Sequence, residues 1–410
     1  MNLQIAWNAA ARYISLCCNF FIVLAVSRSL GPVAKGESTI WITSVFTIVF
    51  AANVAGGMSL VTILKKEPET PVLFSSYIWA LICALIIVPP ITFFLNRDWR
   101  FGIYIISISL MSAFVAIHQN ILFSNQRYKQ YNILNFAQPA LLAALLFFQL
   151  YWLQKKDFTS FIHAYFGSVV FTLILSIYYI TKIKNKLFSI TLKPLGKMLS
   201  KGFFYQFAEL LQLLHLRLYF YILAGYGEGG LYRLGIYSVG ISILEAVWIL
   251  PRSAATINFA ATLKKADIST TFRWLRQSLF ISFVFLVAIF LLPVEVYGEV
   301  FGEGFLYVKY AVKYLFPGTG IYVFVIVLGS YLMAKEKYSV MIAIHLLGIL
   351  VSVTLCSVWA PQYEMSGAGM AATVSFALSS LFIVMYFIVN ENIRWRDFLI
   401  KRSDLIIKIQ

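Results

Sequence analysis

Residues 8–36, NAAARYISLCCNFFIVLAVSRSLGPVAKG, decide how the rest of the chain is read. Asn8, Arg12, Ser15 and Asn19 recur at spacings of four, three and four residues, so a helix of 3.6 residues per turn stacks them on one face. Ile14, Leu16, Phe20, Phe21 and Leu24 cover much of the remainder. The pattern predicts a membrane helix with a polar seam. Arg12 has two readings. It lies near the membrane surface, where a long basic side chain snorkels at little cost, or it lies inside a bundle beside a partner or a water-filled cavity. After Arg28-Ser29-Leu30-Gly31-Pro32 and Gly36 the polar stretch reads as a loop before a second helix.

The composition makes this helix one of many. Of 410 residues 60% are hydrophobic and 12% charged, too few polar groups to coat a soluble globule of this size. A hydrocarbon layer of about 30 Å needs roughly 20 apolar residues per helix, and runs of that length recur with short polar breaks. They predict spans at 9–28, 39–64, 72–95, 101–123, 133–153 and 161–181, then 202–224, 234–257, 275–296, 313–334, 338–359 and 367–390. The expected architecture is an all-α polytopic membrane protein of 12 transmembrane helices. It comprises a six-helix bundle over 1–181, a basic cytoplasmic linker over 182–201, a second six-helix bundle over 202–390 and a basic tail over 391–410.

An even number of spans puts both ends on one side. The breaks on that side hold roughly twice the Lys and Arg of the other, so both termini are expected in the cytoplasm. Lys182, Lys184, Lys186, Lys193, Lys197 and Lys201, with no acid among them, make the largest contribution. The net charge of +16 thus reads as membrane topology, since no soluble module presents it to a nucleic acid. Met1–Trp7 lacks a basic leader and a cleavage site, so the first helix is expected to stay as a signal anchor. Cys17, Cys18, Cys83 and Cys356 all sit in apolar runs without metal-ligand spacing. Pro89-Pro90, Pro139 and Pro251 interrupt predicted spans, and each frees a carbonyl that the protein must satisfy.

Charges inside spans are costly and therefore informative, at about 2.5–3.5 kcal/mol each near a helix centre. The basic ones are Arg12, Arg217, Arg252 and Arg276, the last near a helix end where it snorkels; the acids are Glu209 and Glu245. Tyr205, Gln206, Glu209, Gln212 and Arg217 share one face of the seventh span, with His215 beside it. Glu245 and Arg252 are seven residues apart, about 10 Å along the axis, and so seek partners on other helices. Weaker seams hold Asn135, Gln138 and Gln149, and Ser112 with Gln119 beside His118. Two readings of the charges compete. In one, the glutamates pair with arginines only to hold the two halves together. In the other, Arg12, Asn19, Gln206, Gln212, Arg217 and Arg252 contact an anionic substrate while Glu209 and Glu245 couple its movement to an ion.

At Ser27-Arg28-Ser29-Leu30-Gly31-Pro32 and Gly36 the chain resembles the polysaccharide-biosynthesis flippases, the O-antigen (Wzx-type) branch of the MATE-like MOP exporter superfamily. Leu223-Ala224-Gly225 and Leu234-Gly235-Ile236-Tyr237 repeat the likeness in the second half. Lys35 departs from the pattern, which has an acidic or aromatic residue before the glycine. The resemblance implies two six-helix bundles around a V-shaped central cavity. It also implies a substrate: an oligosaccharide repeat unit of an O-antigen, as in lipopolysaccharide, or of a capsule, carried on undecaprenyl pyrophosphate. That unit would be moved from the cytoplasmic to the periplasmic leaflet of the bacterial inner membrane. A proton or sodium gradient would drive the movement with no cofactor. Membrane lipids, a polysaccharide polymerase and a chain-length regulator would be its partners. The expected path is capture between Arg12 and Arg252, then passage toward Arg217.

Two other functions are weighed. An integral-membrane polysaccharide polymerase or ligase would carry a large external catalytic loop, whereas the longest external break, near Tyr297–Val312, holds no convincing constellation. A multidrug exporter of the same superfamily would favour an acidic cavity for organic cations. No Gly-rich phosphate loop, zinc spacing or nucleophilic triad is present, so no enzyme is expected, and Gly56-Gly57 reads as close helix packing.

Overall fold

The computed structural model describes residues 3–57, 60, 64, 69–183, 192–264 and 268–398, with side chains from residue 14 onward except at 69, 70, 201 and 264. Among these residues the secondary structure is helix joined by short turns, with no strand. The N-terminal helices are α1 (3–30), α2 (32–56), α3 (Glu69–Phe94), α4 (Trp99–Ser124), α5 (Tyr128–Phe147) and α6 (Phe158–Thr181). The rest are α7 (Lys193–Gly225), α8 (Gly230–Val247), α9 (Ile249–Lys264), α10 (Ile268–Leu291), α11 (Val294–Phe301), α12 (Val308–Ile321), α13 (Val323–Ala334), α14 (338–363) and α15 (365–390).

The loop expected over residues 28–36 shrinks to a single residue. Helix runs through Leu3–Gly56 and is broken only at Gly31, whose φ of 83° and ψ of −179° suit glycine alone. Pro32 follows with its fixed φ and no N–H to satisfy, which starts α2 at once. The end of the chain has a matching break at Glu364, with φ 51° and ψ −128°. A Cβ on Gly367 would lie 2.3 Å from the Trp359 carbonyl oxygen. Residues eight apart in a straight helix are about 12 Å apart, so the chain doubles back at Glu364.

Ten helical runs among the described residues are long and apolar enough to cross a membrane, and this is a multi-pass membrane protein. The two longest, 43 and 53 residues, would each exceed 60 Å if straight, roughly twice the hydrocarbon thickness. Each is two spans meeting at one of these breaks, which is consistent with twelve crossings.

The chain divides into two compact units, Met1–Leu210 and Leu211–Gln410, with the boundary inside α7. In the first, Ala52, Ala55, Val72, Ala80, Ala113, Ile117 and Met198 form a buried apolar core. Gly56 and Gly57 allow the close packing expected of them, since a Cβ would meet Ile117 on the first and the Gln206 amide on the second, both at 2.7 Å. α7 starts at Lys193, so Lys193 and Lys197 belong to helix, while Lys184 and Lys186 lie outside the described residues.

In the second unit two spans are discontinuous. Pro251 cannot donate to the Val247 carbonyl, and helix is interrupted at Trp248, between α8 and α9. A second interruption falls at Tyr322, between α12 and α13, five residues after Pro317. The breaks meet. The Trp248 indole donates to the Thr319 carbonyl at 2.8 Å, and its ring packs on Tyr322 with centroids 5.1 Å apart. The external break expected near Tyr297–Val312 contains α11 and a 3₁₀ turn, Glu303–Phe305. Arg276 does not snorkel. It is 7% exposed and donates to the main-chain oxygen of Asp397 at 2.9 Å, in the 3₁₀ turn Trp395–Phe398 of the basic tail.

Candidate substrate and coupling site

The charged site lies in the C-terminal unit where α7 faces the broken pair α8–α9. Arg217 sends Nη1 to Glu245 Oε1 at 2.8 Å and Nη2 to Oε2 at 2.6 Å. Such a two-pronged pair holds both planes fixed, which one ammonium cannot do. Both side chains remain about one-fifth exposed, and the guanidinium also stands over the Phe220 ring at 5.1 Å. Arg252 is exposed, lies over the Trp248 ring at 5.5 Å and is within electrostatic range of Glu245. Among the described residues its guanidinium makes no ion pair. The cluster therefore holds two cations against one carboxylate. A small cavity borders it, lined by Tyr219, Leu244, Glu245, Trp248, Thr319 and Phe376.

The expectation that Glu245 finds its partner on another helix is met by Arg217. The reading in which this pair ties the two halves together is not: both residues belong to the C-terminal unit, where they tie α7 to α8. Gln212 is half-buried in the same unit. The remaining candidates belong to the N-terminal unit. Gln206 is buried with its amide against Gly57, Glu209 is half-buried and Asn19 is exposed. The side chain of Arg12 lies outside the described residues. Ser15, on the same seam, donates to the Asn135 carbonyl on α5 at 3.4 Å. Lys35 is 5% exposed, with Nζ 3.2 Å from Thr39 Oγ1 on its own helix. Nearby, Glu37 pairs with Arg97.

Three histidines are buried, of which His118 and His215 stand beside polar seams in the sequence and His345 does not. His118 on α4 bonds through Nε2 to the Tyr77 hydroxyl and through Nδ1 to Ser176 Oγ at 2.7 Å. His215 on α7 bonds through Nε2 to Ser375 Oγ at 2.7 Å, and His345 on α14 places its Nδ1 3.5 Å from His215 Nδ1. Their signal was present in the sequence: a neutral imidazole inside a span is a costly polar group like any other and needs partners. Gly348 pairs with this arrangement, since a Cβ there would lie 2.3 Å from the His215 ring.

No protein-family model and no curated protein matches the sequence. Among solved structures the chain is similar to a lipid II flippase MurJ in an inward closed conformation, with TM-score 0.75 at 12% identity over 95% of this chain and 88% of that one. It is also similar to a multidrug resistance MATE family transporter of the MOP superfamily in an inward-facing conformation, with TM-score 0.64 at 12% identity over 94% of each chain. A third is a MOP superfamily transporter from Pyrococcus furiosus, for which reverse polarity of the binding pocket suggests a different function. It has TM-score 0.66 at 13% identity over 94% of this chain and 93% of that one. The fold of this multi-pass membrane protein is the one shared by the MurJ and MATE transporters of the MOP superfamily.

Proposed function

We propose that the chain is a flippase. It carries undecaprenyl-pyrophosphate-linked oligosaccharide repeat units, of an O-antigen or a capsular polysaccharide, from the cytoplasmic to the periplasmic leaflet of the bacterial inner membrane by ion-coupled alternating access. The observation that carries this reading is the excess of guanidinium over carboxylate at Arg217, Glu245 and Arg252. A diphosphate takes two-pronged hydrogen bonds from guanidinium, and among the described residues no carboxylate engages the donors of Arg252. Phe220 and Trp248, both buried, hold these guanidiniums in place through their ring faces. The likeness to a lipid II flippase adds support.

In this reading Arg12, Asn19 and Gln206 of the N-terminal unit, and Gln212, Arg217 and Arg252 of the C-terminal unit, contact the substrate. Glu209 and Glu245 couple the movement to an ion or tune the site's charge. Both termini, the basic linker over 182–201 and the tail lie in the cytoplasm, and a polymerase and a chain-length regulator act on the delivered product. The second reading, export of organic cations, draws on the likeness to a MATE transporter, but two cations around one acid oppose a cationic substrate. Deleting the gene from its host tests the choice. Lipid-linked repeat units then accumulate on the cytoplasmic leaflet while sensitivity to cationic dyes is unchanged. Unchanged leaflet distribution with raised dye sensitivity overturns the flippase reading in favour of export.

A further inference from the structure

His215 and His345 are shut inside the C-terminal unit, 0% and 1% exposed, with their Nδ1 atoms 3.5 Å apart. Their hydrogen bonds fix where each proton sits. The Gly348 carbonyl can only accept, so the Ser375 hydroxyl donates to it at 2.7 Å. That uses the hydroxyl's one hydrogen, so Ser375 Oγ accepts from His215 Nε2–H at 2.7 Å. A neutral His215 then presents a bare Nδ1, and the proton between the rings belongs to His345 Nδ1. His345 Nε2 is left as a lone pair at the end of the chain.

The N-terminal unit holds the same device in closed form. Ser176 donates to the Leu173 carbonyl at 2.8 Å and accepts from His118 Nδ1–H at 2.7 Å. The Tyr77 hydroxyl donates to His118 Nε2. Both ring nitrogens are occupied, so another proton on His118 requires the Tyr77 hydroxyl to turn its hydrogen away and accept. The pair in the C-terminal unit can take a proton without breaking any bond.

Its surroundings suit a site that changes state. The His215 ring packs against Tyr322 and Phe376 at centroid distances of 5.7 and 5.5 Å, and Tyr322 is itself the break between α12 and α13. Trp248, the break between α8 and α9, packs on both of those rings. Discontinuous helices of this kind border ion and substrate sites because their end carbonyls can turn toward a cation. The Tyr322 phenol is the titratable group facing the pair from α12–α13. From α15, Ser375 and Phe376 face it, and from α14 Gly348, none of them charged. On α7 the nearest charge, Arg217, is engaged by Glu245 of α8.

We propose that His215 and His345 form a one-proton binding site, which makes the proton the coupling ion of the flippase reading, on which this coupling role rests. One proton adds at His345 Nε2, the charge spreads over two hydrogen-bonded rings, and no bond between heavy atoms changes. A charge held in the closed aromatic packing is costly, so the protonated pair favours the conformation that opens α7, α14 and α15 to water or turned carbonyls.

The full chain with ¹⁵N-labelled histidine in lipid nanodiscs tests this, because its four histidines give four separately assignable imidazoles. At high pH His215 is expected as the Nε2–H tautomer, with His345 and His118 as Nδ1–H. On acidification the two rings of the pair shift together through one transition that His118 does not share. His345→Gln removes the transition and leaves His215 neutral, and His118→Gln leaves it in place. Both rings of the wild-type pair staying fixed on acidification, or moving independently, overturns the proposal. In proteoliposomes carrying lipid-linked oligosaccharide, His345→Gln loses the response to a pH gradient that wild type and His118→Gln show. A titrating pair in a protein that moves no lipid-linked substrate refutes the flippase reading alone, and movement with a silent pair refutes the proton site alone.

Discussion

Arg217 meets both oxygens of Glu245 at 2.6–2.8 Å in a setting that is mostly buried, so the two cannot be changed singly without leaving a charge stranded. Glu245→Gln and Arg217→Ala should each lower unfolding free energy by about 3 kcal/mol, the low end for a broken buried pair given the remaining exposure. Arg217→Lys keeps the charge but loses the fork and should fall between. Arg252→Ala removes a cation whose contact is a ring face, so it should leave the melting temperature within a degree or two while cutting transport. Thermal melts in detergent alongside a transport assay separate these outcomes. Equal loss of stability in Arg252→Ala would mean that Arg252 is structural. At the surface, Asp157 caps α6: its carboxylate accepts from the Ser160 and Thr159 hydroxyls at 2.7 and 2.8 Å, and the Ser160 hydroxyl above all holds it below the usual carboxylate range. A lowered folded value means its stabilisation is complete above the unfolded value near 3.9 and is lost as pH falls through the folded one. The melting difference between wild type and Asp157→Asn should therefore be present at neutral pH and vanish in acid. A difference that persists below about pH 2 contradicts this cap.

The helices break where their residues force them to, and two of the breaks make opposite predictions. Gly31 sits at φ 83° and ψ −179°, so Gly31→Ala should cost about 1–3 kcal/mol even though nothing lies within 4 Å of the new methyl. Glu364 occupies φ 51° with a side chain, so Glu364→Gly should relieve strain of the same order. It gives up only an exposed ion pair with Arg233 at 3.0 Å, worth less than about 1 kcal/mol. Calorimetric melts in detergent should move down for the first variant and up for the second. A fall for both would show that the Arg233 contact outweighs the backbone. These breaks also mark how far the sequence could be read. Apolar runs located the spans because lipid demands them, and Gly31-Pro32 announced its corner. The gap between the apolar runs 338–359 and 367–390 placed the second reversal, but nothing in it marks Glu364 as the residue that takes positive φ. The interruption at Tyr322 has Pro317 as its nearest sequence cue, five residues early. The charged site was half legible. Arg217, Glu245 and Arg252 stand out as charges in apolar helices, yet their pairing depends on which faces of α7 and α8 meet, and His118 and His215, visible beside the polar seams, carry no local sign of the serines they bond.

At the scale of the whole molecule, two units built on one plan carry different polar centres. The N-terminal centre is closed by Tyr77 on His118, and the C-terminal one couples the open histidine pair to breaks next to a basic cluster. That difference fits a protein in which both units contact the substrate and the C-terminal unit alone carries the coupling. It predicts that conservative changes at His118 impair folding more than transport, and that changes at Arg252 do the reverse. The central claim is movement of a lipid-linked anionic glycan. It is tested most directly by reconstituting the purified chain in proteoliposomes with undecaprenyl-pyrophosphate-linked oligosaccharide and following its accessibility to an added glycosidase. Wild-type protein should expose the inner-leaflet pool, faster under a pH gradient, and Arg252→Ala should leave it shielded. A pool that stays shielded with wild-type protein, in vesicles where a fluorescent organic cation is exported, would contradict the account.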